Sequence, residues 1–452
     1  MSRGLRIAAW ATAAVTVLMT AVRADDWPQW MGPKRDGVWR ETGIIEKFPE
    51  GGAKMRWRVP VGGGYSSPSV AAGRVYVIDR VVAETASKPA SPFKRMSVPG
   101  VERVLCLDEK TGKTRWKQEY PCDYTMSYNA GPRAAPTVDG DRVYTFGAEG
   151  DLQCRRVADG KPVWQKHLGG ETTPMWGFAS SPLVDGDKVI VFGADPAGMT
   201  LAFNKMSGEK IWQALPAKEP GYSSPEIIEA GGKRQLIVWN AESLNALDPE
   251  TGKVYWTEPF PTKAGMSIAM PRQDGDFLLV SAFFDGAMMM RLDANKPAAR
   301  RYWKIGGRSE RNTLALHSTM ATPVMKDGYI YGVCSYGQLR CLQAESGERV
   351  WETFDATSGK AGPTRWGTAF IVANGDRYFL FNELGDLIIA QLTPAGYHEI
   401  SRAHLLEPTN VDPDRAVVWC QPAFANRSVY VRNDKELVCA SLAAASSGTG
   451  EQ

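Results

Sequence analysis

Histidine is scarce in this 452-residue chain, with only four, at 167, 317, 398 and 404, and none at a helical metal-binding spacing. No Gly-x-Ser-x-Gly elbow occurs, so zinc-dependent and serine-hydrolase chemistry have little to build on. Thr111-Gly112-Lys113-Thr114 imitates the end of a phosphate-binding loop. Leu107 occupies the place of its first glycine, however, and the context is a strand turn. Charge of one sign is also missing. Lys and Arg number 53 against 50 Asp and Glu, and three of the arginines lie in residues 1–24, so the remainder is balanced. Nucleic acid and anionic membranes as partners require a basic patch, and the charge balance argues for neither.

One long apolar run exists, Ile7 to Val22, after Arg3 and Arg6 and before Val22-Arg23-Ala24. It is shorter than the roughly 20 residues a membrane span needs and contains Thr12, Thr16 and Thr20. Its order is that of a secretory signal cut after Ala24, which predicts an exported protein, periplasmic or extracellular, with no membrane span after cleavage. Seven cysteines are too many to ignore in an exported chain. Cys106, Cys154, Cys341 and Cys439 share one slot of an internal repeat in which Ala202 and Ala246 also stand, which predicts small buried side chains. Whether Cys122, Cys334 or Cys420 pair is open.

What the chain does contain is repetition. Ser-Ser-Pro or Ala-Thr-Pro is followed by a short apolar stretch, Asp-Gly, two alternating strands, Thr-Gly-Lys and Trp. Cys106-Leu107-Asp108 through Thr111-Gly112-Lys113 to Trp116 is one copy, and Ala246-Leu247-Asp248 to Trp256 is another. Looser copies end at Trp164, Trp212 and Trp351, and the copy ending at Trp303 is stretched by Asn295-Lys296-Pro297. Successive tryptophans lie roughly 44 to 48 residues apart, the length of one propeller blade. Pro68, Pro136, Pro182, Pro225, Pro271, Pro323, Phe370 and Pro422 mark eight starts. The seventh copy has Ile400 or a neighbour in place of its Trp and reads as the weakest blade.

Segments such as Arg142-Val143-Tyr144-Thr145-Phe146 are β-branched and aromatic, and no window sustains a helical period. These features predict an all-β, eight-bladed β-propeller of four-stranded antiparallel blades. The strand around Trp57 precedes the first marker and the last unit, Cys420 to Leu442, has only three strands. Their pairing would close the ring and remove two sheet edges. The expected organisation is signal 1–24, N-terminal extension 25–56, propeller 57–442 and flexible tail 443–452, and the protein is expected to be a monomer.

At Ala-x-Asp-x-x-Thr-Gly-x-x-x-Trp, matched in full by Ala246 to Trp256 and nearly so by Cys106 to Trp116, the chain resembles the tryptophan-docking repeat of the quinoprotein alcohol dehydrogenases, over essentially residues 57–442. Asp26-Trp27-Pro28-Gln29-Trp30, with Gly32-Pro33 and Arg35-Asp36-Gly37, resembles the start of secreted bacterial PQQ-like propeller proteins, with Met31 in place of an Arg. The dehydrogenase resemblance implies PQQ held between a Trp and a disulfide of adjacent cysteines, with Ca²⁺ on carboxylate and Asn ligands and an Asp as base. This chain has no adjacent Cys pair, and it is shorter than those enzymes. The same repeat builds the non-enzymatic propeller lipoprotein of outer-membrane β-barrel assembly, so the resemblance implies fold more than activity.

Function is therefore expected in the crossings before each marker, which feed the central funnel. Tyr65, Arg133, Trp176, Tyr222, His317, Arg365, Trp366 and Trp419 gather there. Such a set can stack a planar anion or a sugar, and it can equally be a packed loop surface. Glu149, Asp195, Asp285, Glu383 and Asp434 sit in inner turns, where they can converge on Ca²⁺ or simply form turns, the reading favoured here. Met288-Met289-Met290 invites a soft-metal reading, but strand alternation points to packing. The insertion Arg80 to Arg103 is either a flap over the funnel or a mobile loop. Three readings follow: a binding or scaffold propeller for a protein, glycan or cell-envelope component; a PQQ-dependent oxidoreductase of alcohols or sugars; or a polysaccharide lyase or hydrolase using His317 and Arg133.

Overall fold

The computed structural model describes residues 25–445 apart from 88 and 413. The expected signal, and most of the expected tail, lie outside the described residues. Eight four-stranded antiparallel sheets form the blades of a propeller. The first blade runs outward from Ser69–Ala71 through Arg74–Val82 and Gly100–Asp108 to Thr114–Pro121. In the eighth, Ala423–Ala425, Ser428–Arg432 and Glu436–Ser441 are completed on the outside by Lys54–Pro60, with Trp57 opposite Cys439. The ring is thus closed by the N-terminal strand around Trp57, as expected. Helix among the described residues is confined to two short turns, Lys263–Gly265 and Gly359–Ala361. No described helix is long and apolar enough to cross a membrane.

The repeat residues explain how blades pack. Cys106, Cys154, Cys341 and Cys439 each stand between a Tyr on the second strand and a Trp on the fourth. The flanking rings come within 5.9 to 6.1 Å of each other across the small side chain. All seven cysteines are buried and unpaired. Burial pushes the Cys154, Cys341 and Cys439 thiols up to about 11, which keeps them protonated and unreactive. Most of the repeat tryptophans then reach the next blade. Trp57 Nε1 donates to Glu109 O at 2.8 Å, Trp116 to Val157 O at 2.9 Å and Trp164 to Lys205 O at 3.0 Å. Trp256 departs from this pattern and donates to Gln235 Oε1, because the turn it would meet carries the Asn295-Lys296-Pro297 stretch.

Gly112, at φ 69°, shows why this turn needs glycine. A Cβ there would lie 2.8 Å from the Trp57 ring. Met288, Met289 and Met290 are fully buried and alternate between two inter-blade cores, as strand packing requires.

Residues 25–56, expected as an N-terminal extension, are packed onto the propeller: residues 27–39 meet the inner strands, Ile44 to Phe48 lie against Leu442, Ala443 and Ser401 on the outside of the last two blades, and Lys54 opens the closing strand. Trp27 bridges Val70, Pro28 O accepts from Val138 N, Arg35 reaches Ser181 O and Pro182 O, and Trp39 N donates to Ala373 O. This strap closes one mouth of the central channel. The seventh blade is not short of packing. Ser401 occupies its Trp slot opposite Ile389 and accepts a hydrogen bond from Phe48 N at 3.0 Å, so buried Phe48 of the strap supplies the missing apolar bulk.

Candidate funnel site

The crossings converge above the strap on one cavity of about 350 Å³. Tyr65, Arg133, Trp176, Tyr222, Arg365, Trp366 and Trp419 line it. His317 does not. It is fully buried beneath the crossing, with Nδ1 on Phe283 O at 2.9 Å and Nε2 enclosed without a partner. Burial lowers its pKa and keeps it neutral, away from any substrate. A crossing residue next to a strand start can face the sheet end as easily as the funnel, and His317 takes the inward side.

Five further aromatic residues were not legible as funnel groups: Trp30, Phe93, Tyr128, Phe284 and Phe370. Trp30 comes from the strap and forms part of the floor. Phe93 comes from the insertion, which settles over the first crossing: Ser127 Oγ donates to Phe93 O at 2.8 Å and Tyr128 N to Pro92 O at 2.7 Å. The extended hairpin is anchored below by Arg80, whose guanidinium lies 3.9 Å from the Tyr124 ring centroid, and by Glu102, which accepts hydrogen bonds from the Tyr120 and Tyr124 hydroxyls. A small hairpin, Asn410–Asp412 with Arg415–Val417, builds the crossing into the last blade.

Most polar handles in the lining point away from the cavity. Tyr128 OH donates to Asp412 Oδ1 at 3.1 Å, Trp419 Nε1 to Glu383 Oε2 at 3.0 Å and Trp30 Nε1 to Met270 Sδ at 2.9 Å. Arg133 gives its terminal nitrogens to the Gly131, Ser127 and Tyr128 carbonyls. Arg415 ties the wall together, from Nε to Glu383 at 3.0 Å and from Nη2 to Arg365 O at 2.9 Å. Burial raises the Glu383 and Asp412 carboxyls, and Arg415 opposes that shift in both. What faces the cavity is therefore mostly ring surface. Tyr128, Ala264 and Trp366 hold φ of 52°, 56° and 61°, strained backbone gathered at a single site.

The inner-turn acids do not converge. Glu149 caps Thr125 N, Asp285 caps Lys263 N, Asp434 caps Gly64 N, Asp195 bonds Gln213, and Glu383 serves Arg415 and Trp419. Among the described residues no group of three His, Cys, Asp or Glu is placed to hold a metal ion.

Near the strap, Glu226 lies 3.5 Å from Arg272, close to buried Arg35. Burial pushes its pKa up to about 7 despite both arginines. Between the ordinary carboxyl value and about 7 the folded protein keeps a proton that the unfolded chain has shed, so stability falls as pH rises through that window. Glu226→Gln removes the titration. Chemical denaturation is expected to find the variant close to wild type near pH 4.5 and more stable by about 3 kcal/mol at pH 8. A pH-independent difference would refute the assignment.

The family model for the outer membrane protein assembly factor BamB matches residues 100–353. The chain belongs to this family. BamB of Burkholderia pseudomallei (strain K96243) is 26% identical over 253 residues, 53% of this chain and 60% of that protein, so the match spans three fifths of the relative's length. Among solved structures, quinohemoprotein alcohol dehydrogenase from Comamonas testosteroni superposes with a TM-score of 0.59 at 12% identity, covering 94% of this chain and 82% of that one. A europium-containing methanol dehydrogenase gives 0.59 at 11%, covering 90% and 89%. At such identities these two share the fold alone.

The funnel does not fit the quinone and Ca²⁺ centre that the dehydrogenase resemblance implies. None of its lining residues is Asp, Glu or Asn, the Ca²⁺ ligands that the resemblance implies, and the chain offers no adjacent Cys pair.

Proposed function

We propose that this chain is an exported, non-catalytic binding protein of the cell envelope, periplasmic or extracellular, which engages its partner through the funnel and the loops around it. The observation that carries this reading is the lining itself: ten aromatic residues and two arginines, with no acid, histidine or cysteine among them. Acids, histidine and cysteine are the commonest general acids, bases and nucleophiles, and the Tyr65 and Tyr128 hydroxyls of the lining are engaged by Asn410 and Asp412. Exposed apolar side chains on the same face support a partner larger than the cavity. Leu314 is 60% and Val411 63% exposed, with Phe93, Met175 and Leu384 nearby in other crossings and turns of that face. Family membership is consistent with an envelope partner.

A photo-crosslinking side chain at Leu314 or Val411 in cells is expected to trap the same envelope species from both positions. The same group at Val163 or Ile211, on outer strands, should trap none. Crosslinks confined to the outer strands would move the interaction away from the funnel. The oxidoreductase reading is tested by titrating the purified protein with PQQ and Ca²⁺. The expected result is no dye-linked oxidation of alcohols or sugars, and turnover there would overturn the binding reading.

A further inference from the structure

We infer that the funnel holds a flat two- or three-ring aromatic molecule carrying a single negative charge, with its rings between opposed aromatic walls and its charge at Arg365. This rests on the reading of the funnel as a binding place. The order of the blades puts Trp176 and Tyr222, in the crossings that enter and leave the third blade, across the ring from Trp366 and Trp419, which flank the seventh. Trp176 and Tyr222 pack at 5.5 Å between centroids and Trp366 and Trp419 at 6.4 Å, so each wall is a preassembled pair. The strap closes the floor with Trp30, and about 350 Å³ remains, in the range of small-molecule sites.

The chemistry of the walls selects among ligands. A sugar is held by in-plane donors and acceptors to its hydroxyls, and here the Tyr128 hydroxyl, the Trp419 indole N–H and the Arg133 guanidinium are already committed to protein partners. A cation finds no acid in the lining. Ring faces remain, and they favour a planar, polarizable ligand. Thr319 Oγ1 is a buried hydroxyl of the lining left without a partner, and among the charged groups Arg365 is the exception to the commitment. Only its Nη2 is engaged, with Glu310 at 2.8 Å, while its guanidinium lies 4.3 Å from the Trp366 ring centroid and is partly exposed. Its other N–H groups are free to donate to one carboxylate or sulfonate beside the stacked rings. A ligand with several carboxylates would leave the rest unpaired against ring faces.

Strain supplies an independent argument. Most positive-φ residues other than glycine sit in ordinary turns or in the strap, yet Tyr128 and Trp366 carry bulky rings at φ 52° and 61° on the funnel wall. Bulky residues adopt this conformation at a cost, and such positions cluster where a ligand is clamped. A wall built only for packing would be served as well by Asn or Gly at 366.

The test uses the purified full chain and 2-naphthoate as the probe, with neutral 2-naphthamide, cellobiose and PQQ with Ca²⁺ as comparators, followed by calorimetry and tryptophan fluorescence. Expected is saturable one-site binding of 2-naphthoate, tenfold or more tighter than the amide. Arg365→Gln should bring the two compounds level by weakening only the naphthoate. Trp366→Asn should weaken both at least tenfold while leaving Tm unchanged or higher, which a purely structural residue would not do. Equal affinity for naphthoate and amide in the wild type, or no naphthoate binding to protein with a native melting transition, overturns the inference. If cellobiose or PQQ saturates the funnel instead, the ligand class is wrong while the funnel remains a binding place. If none of the four binds, the inference fails, and the crosslinking at Leu314 and Val411 decides separately whether the funnel face binds a partner.

Discussion

Trp39→Ala is expected to lower the stability of the whole propeller by about 3–5 kcal/mol, the range for deleting a fully buried large aromatic side chain. Trp39 is 1% exposed and lies 5.3 Å from Phe379 and 5.0 Å from Phe424, in the seventh and eighth blades. Its indole N–H donates to Glu41 Oε2 at 2.7 Å, and the same oxygen accepts from Arg427 N at 2.9 Å. Truncation would thus open a cavity and remove one donor from a buried carboxylate. Urea denaturation followed by tryptophan fluorescence gives the value. A loss below about 1 kcal/mol would mean that the strap is an accessory laid on a finished propeller. A loss in the expected range makes it part of the core.

Gly112→Ala tests the closure of the ring. Two costs combine there: the left-handed backbone at φ 69°, and a Cβ placed 2.8 Å from the Trp57 ring and 2.9 Å from Val59 Cγ1. Together they are expected to destabilise by about 3 kcal/mol. Gly73 is the natural control. It has a similar φ of 73° with nothing within 4 Å of an added Cβ, so Gly73→Ala should show the backbone cost alone, about 1 kcal/mol. The difference between the two melting shifts reports the contact between the first and last blades. Equal shifts would show that Trp57 yields freely and that the closure is loose.

The blades were legible because their signals are local. Asp, Thr-Gly and Trp recur at fixed offsets, each tied to a turn or to the next blade a short way along the chain, and the eighth blade could be completed by elimination. The crossings were legible as a class, and seven of the eight residues picked from them line one cavity. What could not be read is what depends on contacts far apart in sequence. Trp30 reaches the floor only because the strap crosses the channel to Met270, 240 residues away. Phe93 belongs to the funnel only because the insertion folds onto residues 125–128. Phe48 replaces the Trp absent from the seventh blade across more than 350 residues, so that copy read as weaker than it is. His317 was misread for a smaller reason, since composition names the crossing residues without saying which way each one turns.

The pairing of Lys54–Pro60 with Glu436–Ser441 also sets a schedule for folding. The strand waits for a partner roughly 380 residues further along the chain, and the strap beside it waits for Ala373 and Phe424. Until then seven blades form an open arc with two bare edges and an unsealed channel, a species prone to pair with other chains. Loop closure over nearly the whole length makes this final step slow relative to the folding of single blades. The protein therefore acquires its funnel floor and its protection from edge-to-edge pairing in a single late event.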